Sequence, residues 1–287
     1  MNHPSTAPVA VRGRAFLAEF GAALVCLGVA PGCALAQNYD DPNGPRYFAE
    51  FAPPPDESES SELAVCSFNI EFSRDIDGAI ADLRGNENLR ACRVLLLQEM
   101  DWPGASAIAE ALALDVVYYP GSVQKGRDFG NAVLSRWPIV DDQKLILPHR
   151  NPTNGRIRIA VRATLDAPGA PLTAYSVHSD TPWLGPAARL EQAEAVAIDA
   201  TRFAAPIAAG GDFNTSDPGS VEHTVALYTK RGFTWASAGV APTAEGPLGA
   251  RSLDHLFVKG LSVVKAGTVS TDASDHQPIW VELRIPP

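Results

Sequence analysis

The alternation of apolar and polar stretches along residues 62–284 predicts a mixed domain of strands and helices. Short runs rich in Val, Ile, Leu and aromatic side chains indicate buried strands, whereas longer stretches with apolar residues three or four positions apart indicate helices that lie on a sheet. Strands and helices alternate at first, and the consecutive strands between residues 130 and 178 indicate antiparallel pairing, so we expect a mixed α/β sandwich. The predicted strands are 63–70, 93–98, 130–136, 157–165, 171–178, 206–210, 255–258 and 277–284, and the predicted helices are 75–84, 104–113, 187–203 and 218–230.

Several of the hydrophobic runs end in carboxylate, amide or imidazole groups. Strand ends of α/β sheets meet at one rim, where ligands usually bind, so we expect these groups to converge. Hard oxygen ligands suit Mg²⁺, and Mg²⁺ together with histidines suits phosphate chemistry. The motifs are Phe68-Asn69-Ile70-Glu71, Leu97-Gln98-Glu99, Val177-His178, Gly211-Asp212-Phe213-Asn214, Leu253-Asp254-His255 and Ser274-Asp275-His276.

Each motif taken alone also has a purely structural interpretation. Asn69 could close a strand, and Asp212 with Asn214 could form an Asx turn that caps the following loop. A buried His178 is more often a hydrogen-bonded core histidine than a functional group. All of these separate explanations would have to hold at once, and in this order along the chain, which favours a common functional site.

The ordered set of motifs resembles the endonuclease/exonuclease/phosphatase superfamily over residues 62–284. The segment from Gly130 to Ile139, which reads Gly-Asn-Ala-Val-Leu-Ser-Arg-Trp-Pro-Ile, also looks like that family's strand between its second and third motifs. The resemblance implies an α/β fold in which two mixed β-sheets pack face to face with helices on the outside, a four-layer sandwich. It also implies a metal-dependent hydrolase that acts on phosphate ester bonds.

The resemblance implies a divalent-metal site. Glu99 would bind Mg²⁺, Asn69 would assist at the metal, and Asp275 would contribute directly or through water. Mn²⁺ and Ca²⁺ remain alternative ions. In phosphodiester cleavage such an ion stabilises the charge that grows on the phosphoryl oxygens.

The resemblance also implies a group of catalytic side chains. Asp212 and His276 are the candidates for handling the proton of the attacking water, with Asp254 orienting or charging His276 through a carboxylate–imidazole hydrogen bond. Asn214 and His178 would donate to phosphoryl oxygens. Which of the candidates deprotonates the water stays open.

The first 36 residues are typical of a signal peptide. Arg12 and Arg14 form a basic region, an apolar run follows, and Ala34-Leu35-Ala36 resembles a cleavage site, so we expect cleavage after Ala36 and export to the periplasm or the medium. Lipidation at Cys33 is an alternative, and the choice between the general and the twin-arginine export pathway stays open. The acidic, proline-rich residues 37–61 are expected to form a disordered arm before a domain of residues 62–287.

Cleavage after Ala36 would leave Cys66 and Cys92 as the cysteines of the mature chain. An oxidising compartment could join them. If Asn69 and Glu99 lie level at their strand ends, however, the two cysteines are offset by about four residues, roughly 13 Å at the rise of a strand. We therefore expect two buried free thiols.

Charge gives an indication of the substrate. The whole chain carries a formal net charge of −10, which is not typical of a protein that scans nucleic acid. Residues 125–162 nevertheless carry a net positive charge, and within them Lys125 and Arg127 lie on a loop that could reach substrate. Arg158 matches a family arginine that contacts phosphate.

These observations favour an exported phosphodiesterase, with a nuclease ahead of a sphingomyelinase-like enzyme or an inositol-phosphate phosphatase. We expect a monomer whose mature chain has no transmembrane segment. The competing hypothesis from another class is a catalytically silent binding module that retains the scaffold. The absence of a Gly-Asn-His motif after Asn214 argues against a calcineurin-like phosphatase.

Overall fold

The computed structural model describes residues 36–54, 62–246 and 249–284. The predicted signal peptide lies outside the described residues except for Ala36. Helices in the described part are α1 (Ile76–Gly85), α2 (Glu87–Arg90), α3 (Trp102–Leu112), α4 (Pro186–Ala200) and α5 (Pro218–Thr229), with 3₁₀ turns at Glu71–Ser73 and Pro182–Leu184. Strands are β1 (Tyr47–Ala49), β2 (Glu62–Asn69), β3 (Val94–Met100), β4 (Asp115–Gln124), β5 (Arg127–Ser135), β6 (Ile139–Ile146), β7 (Ile159–Leu165), β8 (Leu172–His178), β9 (Ile207–Asp212), β10 (Thr234–Trp235), β11 (Ala244–Gly246), β12 (Gly249–Arg251), β13 (Asp254–Lys259), β14 (Ser262–Thr268) and β15 (Ile279–Arg284).

Two mixed sheets form the body of the described chain. The first has the strand order β1-β4-β5-β3-β2-β15-β14, and the second has the order β10-β13-β9-β8-β7-β6, while β11 and β12 form a separate hairpin. The two sheets pack face to face, as predicted. The predicted strands and helices are all present, with bounds shifted by one to three residues.

Three buried clusters hold the layers together. The inner faces of both sheets share one cluster, to which Val65 and Leu96 contribute from the first sheet and Leu256 from the second. The outer face of the first sheet packs on α1 and α3, and that of the second packs on α4 and α5. Successive residues of a strand point to opposite faces, so an uninterrupted apolar run such as Val94 to Leu97 supplies both an inner and an outer cluster. Replacing Leu96 by Ala in such a core typically costs about 2–5 kcal/mol.

The prediction of a disordered arm is wrong for residues 37–54, the part of the arm that the structure describes. Strand β1 pairs with β4, and Asn38 forms an isolated bridge with Ser122. Two backbone amides, of Phe51 and Ala52, donate to Asp115 at 3.0 and 2.9 Å. The acidic composition misled the prediction because these polar residues find specific partners on the domain. Most of the remaining arm, residues 55–61, lies outside the described residues.

The prediction of two free thiols is also wrong, because Cys66 and Cys92 form a disulfide with a Cα–Cα distance of 5.8 Å. The offset of about four residues assumed that the chain at Cys92 is extended in line with the predicted strand 93–98. Instead β3 begins at Val94, and Cys92 lies at the turn after α2, where its amide donates to the Leu89 carbonyl at 3.1 Å. This turn carries Cys92 to the outer face of the sheet, onto which Cys66 also points.

Within the described part of the chain, none of the helices combines the length and the apolar character that a membrane span requires.

Candidate active site

The candidate site lies where each sheet presents the carboxyl ends of a parallel strand pair. Strand β2 runs parallel to β3, and β8 runs parallel to β9. The registers pair Asn69 with Gln98 in the first sheet and His178 with Asp212 in the second. Asp254 opens β13 opposite Asp212. The polar strand ends therefore meet at one rim of the sandwich, as their sequence positions predicted.

Glu99 faces this rim because β3 is irregular at its end. The register between β3 and β5 shifts between Leu97 and Met100, and Glu99 adopts a left-handed φ of 59°. Such a bulge redirects a side chain out of the strand's alternation. A quarter of the Glu99 side chain is exposed, and its Oε1 lies 3.7 Å from Nε2 of His178. Burial raises the pKa of Glu99, although the charges of Arg158 and His276 oppose the rise.

Asp212 is the buried centre of the site. Its Oδ2 accepts from Nδ2 of Asn69 at 3.1 Å and from Nδ2 of Asn214 at 3.2 Å. The same oxygen lies 3.5 Å from Nε2 of His178. Burial raises the pKa of Asp212 to about 7, although the charge of His276 opposes the rise. Asp212 therefore exchanges a proton in the range where a general base is most effective.

The loop after β9 fixes Asn214. Oδ1 of Asp212 accepts the Asn214 amide at 2.8 Å, which is the Asx turn of the alternative, structural interpretation of this motif. Asn214 has a φ of 52°, and its Nδ2 also donates to the Ser179 carbonyl at 3.0 Å. Gly211 precedes this turn with a φ of 150°, and a Cβ there would lie 1.9 Å from the Val177 carbonyl oxygen. Only glycine allows the two strands to approach so closely at this point.

His276 and Asp254 form a buried ion pair. Nδ1 of His276 lies 2.8 Å from Oδ2 of Asp254, and its Nε2 lies 3.9 Å from Oδ2 of Asp212. Burial lowers the pKa of His276, but the charges of Asp254 and Asp212 outweigh burial and raise it to about 10. His276 is therefore an imidazolium at neutral pH, held between two carboxylates.

Arg158 and His178 form a second group of side chains at the site. Nη1 of Arg158 lies 3.2 and 3.0 Å from the two ring nitrogens of His178, and its Nε lies 3.7 Å from Oδ1 of Asp180. Both the guanidinium and the imidazole contact the ring of Phe129, at 5.5 and 5.7 Å. Burial, then Arg158 and His276, lower the pKa of His178 well below its ordinary value. His178 is therefore a neutral hydrogen-bonding group.

Two predicted substrate-binding residues do not contact this cluster. Lys125 lies at the β4–β5 turn with its Nζ 5.0 Å from the centre of the Phe72 ring. Arg127 donates to Oδ2 of Asp101 and to the Phe72 carbonyl, both at 3.0 Å. The rings of Phe72 and Phe129 lie between these cations and His178. Lys125 and Arg127 therefore belong to a neighbouring basic rim.

Two groups of side chains at the rim contain atoms that could bind a metal ion. Ligand atoms of Asp212, Asp254 and His276 lie within 4.8 Å of one another. Nδ1 of His276 is already bonded to Asp254, however, and the imidazolium balances the negative charge. Among the described residues, Glu99 has only the neutral His178 within ion-pair distance, and it lies near the exposed Asp275. The charges of Arg158 and His276 favour the carboxylate form of Glu99. Carboxylate oxygens without a direct ion-pair partner are the ligands that a divalent cation prefers, so Glu99 and Asp275 fit such an ion better.

Asn69 and Asp275 are linked to the same region by local hydrogen bonds. The Asn69 side chain accepts the amide of Glu71 at 3.1 Å, and the amide of Asp275 donates to Oε2 of Glu71 at 3.1 Å. The Ser274 hydroxyl donates to the Asn69 carbonyl at 2.6 Å. The end of β2 and the loop before β15 are thereby held together, and a metal-binding role for Asn69 and Asp275 stays a prediction.

Sequence reasoning missed Asp180 and Phe129. Asp180 is fully buried, accepts from Nδ2 of Asn151 at 2.7 Å and contacts Arg158. It lies two residues beyond His178, so the pattern of polar groups after a strand would have found it. Phe129 gave no such indication, because its ring contacts with Arg158 and His178 arise between strands of different sheets.

A comparison with curated proteins finds short similarities. A "UPF0294 protein" of Vibrio vulnificus is 36% identical over 87 residues, which are 28% of this chain and 28% of the relative. The chain thus spans little more than a quarter of the length of that relative.

Solved structures share the fold over much more of the chain. An endonuclease/exonuclease/phosphatase of Beutenbergia cavernae is 23% identical over 78% of this chain and 72% of its own, with a TM-score of 0.63. TDP2 from D. rerio, crystallised with a single-strand DNA product, is 15% identical over 78% of this chain and 100% of its own, with a TM-score of 0.63. At these identities the likeness establishes the two-sheet fold.

A family model covers most of the chain. The Endonuclease/Exonuclease/phosphatase family matches residues 66–276, a range that runs from the strand before Asn69 to His276 itself. It therefore includes every motif of the site. The chain belongs to the Endonuclease/Exonuclease/phosphatase family, whose members are hydrolases that act on phosphate esters.

Proposed function

We propose that this protein is an exported, Mg²⁺-dependent phosphodiesterase and that its substrate is nucleic acid. The observation that carries the proposal is the convergence of a buried carboxylate of near-neutral pKa with an imidazolium. Asp212 and His276 lie 3.9 Å apart at one rim, beside donors suited to phosphoryl oxygens. Pairs of titratable groups whose environments separate their protonation states are typical of acid–base catalysis.

The metal would be held by Glu99, with Asn69 and Asp275 contributing. Their oxygen ligands suit Mg²⁺, and Mn²⁺ or Ca²⁺ could take the same ligands. When bound, such an ion polarises the phosphate and neutralises charge on its oxygens.

The side chains of the site have separate roles in the hydrolysis. Asp212 accepts the proton of the attacking water, because its pKa of about 7 lets it exist as a carboxylate and bind a proton at neutral pH. His276 stabilises negative charge on the phosphate as an imidazolium, since its pKa is about 10. Neutral His178 and Arg158 donate to the phosphoryl oxygens and orient the ester for in-line attack. Asn214, which was predicted to donate as well, uses its two amide hydrogens on Asp212 and on the Ser179 carbonyl, so it positions Asp212 instead.

The choice of nucleic acid rests on the basic rim. Lys125 extends positive charge away from Arg158, whereas the charge of Arg127 is balanced by its ion pair with Asp101. A polyanion that bears several phosphates gains attraction from each added contact. TDP2, which shares the fold, was crystallised with single-strand DNA. We propose that the protein acts as a monomer, with the rim binding backbone phosphates beside the one that is cleaved.

A lipid phosphodiester is the second candidate substrate, and an apolar groove favours it. This groove, of about 1040 Å³, runs from Thr215 and Ser252 along α5, with Val221, Val225 and Trp235 among its lining residues. Thr215 directly follows Asn214, and Ser252 lies two residues before Asp254. A sphingomyelinase-like enzyme would use such a groove for an acyl chain, whereas a nuclease has less need of it.

Export is supported by the disulfide. Disulfides persist in secreted and periplasmic proteins and are rare where thiols are kept reduced. The Cys66–Cys92 bond joins two residues of the catalytic domain itself. We therefore propose that the predicted signal peptide directs the chain to an oxidising compartment.

One assay tests the proposal. The mature protein would be incubated with Mg²⁺ or EDTA and with plasmid DNA, RNA, sphingomyelin or phosphoinositides, and His276→Ala would be purified in parallel to exclude a contaminating hydrolase. We expect Mg²⁺-dependent cleavage of DNA or RNA that His276→Ala abolishes. Cleavage of sphingomyelin alone would favour the second candidate, and no hydrolysis of any substrate would favour a binding module.

A further inference from the structure

Residues 37–46, which we call the N-terminal strap, lie across two loops that carry basic residues. The Val123 amide donates to the Gln37 carbonyl at 2.8 Å, and the Tyr39 amide donates to the Gly121 carbonyl at 2.9 Å. These bonds attach the strap to the end of β4, just before the turn that holds Lys125. The strap is therefore part of the framework around the candidate site.

Several side chains hold the strap at its other contacts. Nζ of Lys144 donates to the carbonyls of Tyr39 and Gly44, at 2.8 and 2.5 Å. Arg46 binds Asp142 through two bonds, at 2.7 and 2.5 Å, and the Tyr39 hydroxyl donates to Asp128 at 2.6 Å. The strap is thus fixed along its length, with Asn38 held between these contacts and the loop before β7.

The Asn38 side chain makes the two hydrogen bonds that connect the strap to the candidate site. Its Oδ1 accepts the Ile157 amide at 3.2 Å, and its Nδ2 donates to the Gly155 carbonyl at 3.0 Å. One amide side chain therefore bridges two backbone groups of the loop that ends at Arg158. The same residue pairs with Ser122 through its backbone, so Asn38 connects the β4 end to this loop.

The loop that Asn38 bridges ends at the base of Arg158. Ile157 immediately precedes Arg158, and the next residue, Ile159, begins β7. The Arg158 guanidinium has to reach both His178 and Asp180, at 3.0 and 3.7 Å, and its direction depends on the backbone just before it. Losing the Asn38 bridge would release the Ile157 amide and widen the range of positions open to Arg158.

We propose that Asn38 is a positioning residue for Arg158 and that the N-terminal strap is required for phosphate binding at the site. The proposal rests on the proposed function in one respect, namely that Arg158 binds a phosphoryl group. It assigns a role to the segment directly after the predicted cleavage site, which the composition of the sequence marked as disordered.

The test compares two Asn→Ala substitutions in the mature chain. Asn38→Ala removes the bridge, whereas Asn43→Ala is a matched control, because Asn43 is exposed and hydrogen-bonds to Asp41 within the strap. We expect Asn38→Ala to weaken binding of inorganic phosphate, measured by calorimetry, about tenfold, the change that corresponds to about 1.4 kcal/mol. KM for a phosphodiester reporter should rise by a similar factor with kcat changed much less, and Asn43→Ala should match the wild type.

A double-mutant cycle separates positioning from general stability. In an Arg158→Ala background, Asn38→Ala should cause no further loss of phosphate affinity, because the residue it positions is gone. Equal losses in both backgrounds would overturn the proposal, as would a lower melting temperature of Asn38→Ala with unchanged phosphate affinity.

Hydrogen exchange tests the structural step independently of catalysis. The Ile157 amide should exchange faster in Asn38→Ala than in Asn43→Ala, whether or not the protein hydrolyses any substrate. If the wild type proves inactive, the proposed function fails, and the exchange and phosphate-binding results still decide the role of Asn38. Unchanged exchange at Ile157 would refute the bridge itself.

Discussion

The substitution Asp254→Asn tests the charge state of the site most directly. Asn has the same shape as Asp, and its side-chain oxygen can still accept from Nδ1 of His276, which lies 2.8 Å from Asp254 in the wild type. The change therefore removes a negative charge and leaves the packing nearly intact. We expect the pKa of His276 to fall, because Asp254 is the main group that raises it.

The size of the effect follows from the pKa of His276. A rise from 6.5 to about 10 corresponds to roughly 5 kcal/mol, since each tenfold change in a protonation equilibrium is worth about 1.4 kcal/mol. The Asp212 carboxylate contributes part of this stabilisation of the charged His276. We therefore expect Asp254→Asn to lower the free energy of unfolding by about 3 kcal/mol at pH 7. The pKa of the folded state is raised, so the stabilisation is complete below pH 6.5 and is lost as the pH rises to about 10.

The assay is urea unfolding of the wild type and the variant between pH 7 and pH 10, without metal. The raised pKa of Asp212, about 7, makes stability depend on pH mainly below this range, and the lowered pKa of Lys144, about 8, affects both proteins alike. The difference in stability should therefore shrink as the pH rises. Asp272→Asn, at an exposed position in the same loop as His276, serves as the control.

The catalytic consequence is measured on the same proteins. Acid–base groups typically contribute ~10²–10⁴-fold to the rate, so Asp254→Asn should lower kcat by at least about 10²-fold. Because His276 and Asp254 act as a unit, His276→Ala combined with Asp254→Asn should cost much less than the sum of the two single losses. A stability difference that is equal at pH 7 and pH 10, or additive losses of rate, would refute the ion pair as a working unit.

Three further predictions concern the metal, the disulfide and the basic rim. Glu99→Gln should raise the Mg²⁺ concentration for half-maximal activity by at least ~10-fold without lowering the melting temperature, and an unchanged Mg²⁺ titration would remove Glu99 from the metal site. Cys66→Ala with Cys92→Ala should lower the free energy of unfolding by about 3.5 kcal/mol, the loop entropy for a separation of 26 residues; an unchanged urea midpoint would contradict this. Lys125→Ala should reduce the slope of log K against log salt for DNA by ~1 without slowing a small reporter, and the reporter should slow as much as DNA only if Lys125 supports the site itself.

Much of the fold could be predicted because the buried strands carry their own pattern. Runs such as Val94 to Leu97 are apolar on both faces, which is what a strand between an inner and an outer layer requires. Of the strands that were not predicted, β14 lacks this pattern, whereas β4 carries it from Val116 to Tyr119. Strand β14 has Val263 and Val264 exposed at a sheet edge, and β4 is interrupted by Pro120 and Gly121, where its register with β5 shifts.

Other features could not be predicted because they depend on where the chain turns. The disulfide required knowing that Cys92 lies in a turn and not in an extended segment that leads into β3, whereas the predicted and observed strand starts, 93 and 94, differ by only one residue, within the usual uncertainty of strand bounds. The strap required knowing that Lys144 and Asn38 would find carbonyl partners more than 100 residues away. Composition describes how polar a segment is, but it does not identify the partners that order it.

The members of the site were easier to predict than their states. A strand that ends in polar groups places them at the rim, so Asn69, His178 and Asp212 followed from the order of the motifs. Successive side chains of a strand point to opposite faces, and this separates Asp254 from His255. Asp254 faces the site, whereas His255 faces the other side, where its Nε2 lies 2.7 Å from the Thr215 hydroxyl. The position of Glu99 was harder to predict, because its side chain points to the site only through a β-bulge. A strand whose side chains strictly alternate between faces would not have this bulge.

Protonation states required the three-dimensional neighbours. Two buried histidines of this chain have opposite charge states: burial lowers the pKa of His255 to about 4, whereas Asp254 and Asp212 raise that of His276 to about 10 despite burial. The sequence places both histidines next to an aspartate in the chain, so local sequence cannot distinguish them. What distinguishes them is the packing of β13 against β9, which sets Asp254 opposite Asp212 and leaves His276 between the two carboxylates. The division of acid and base roles at this site is therefore a consequence of strand register.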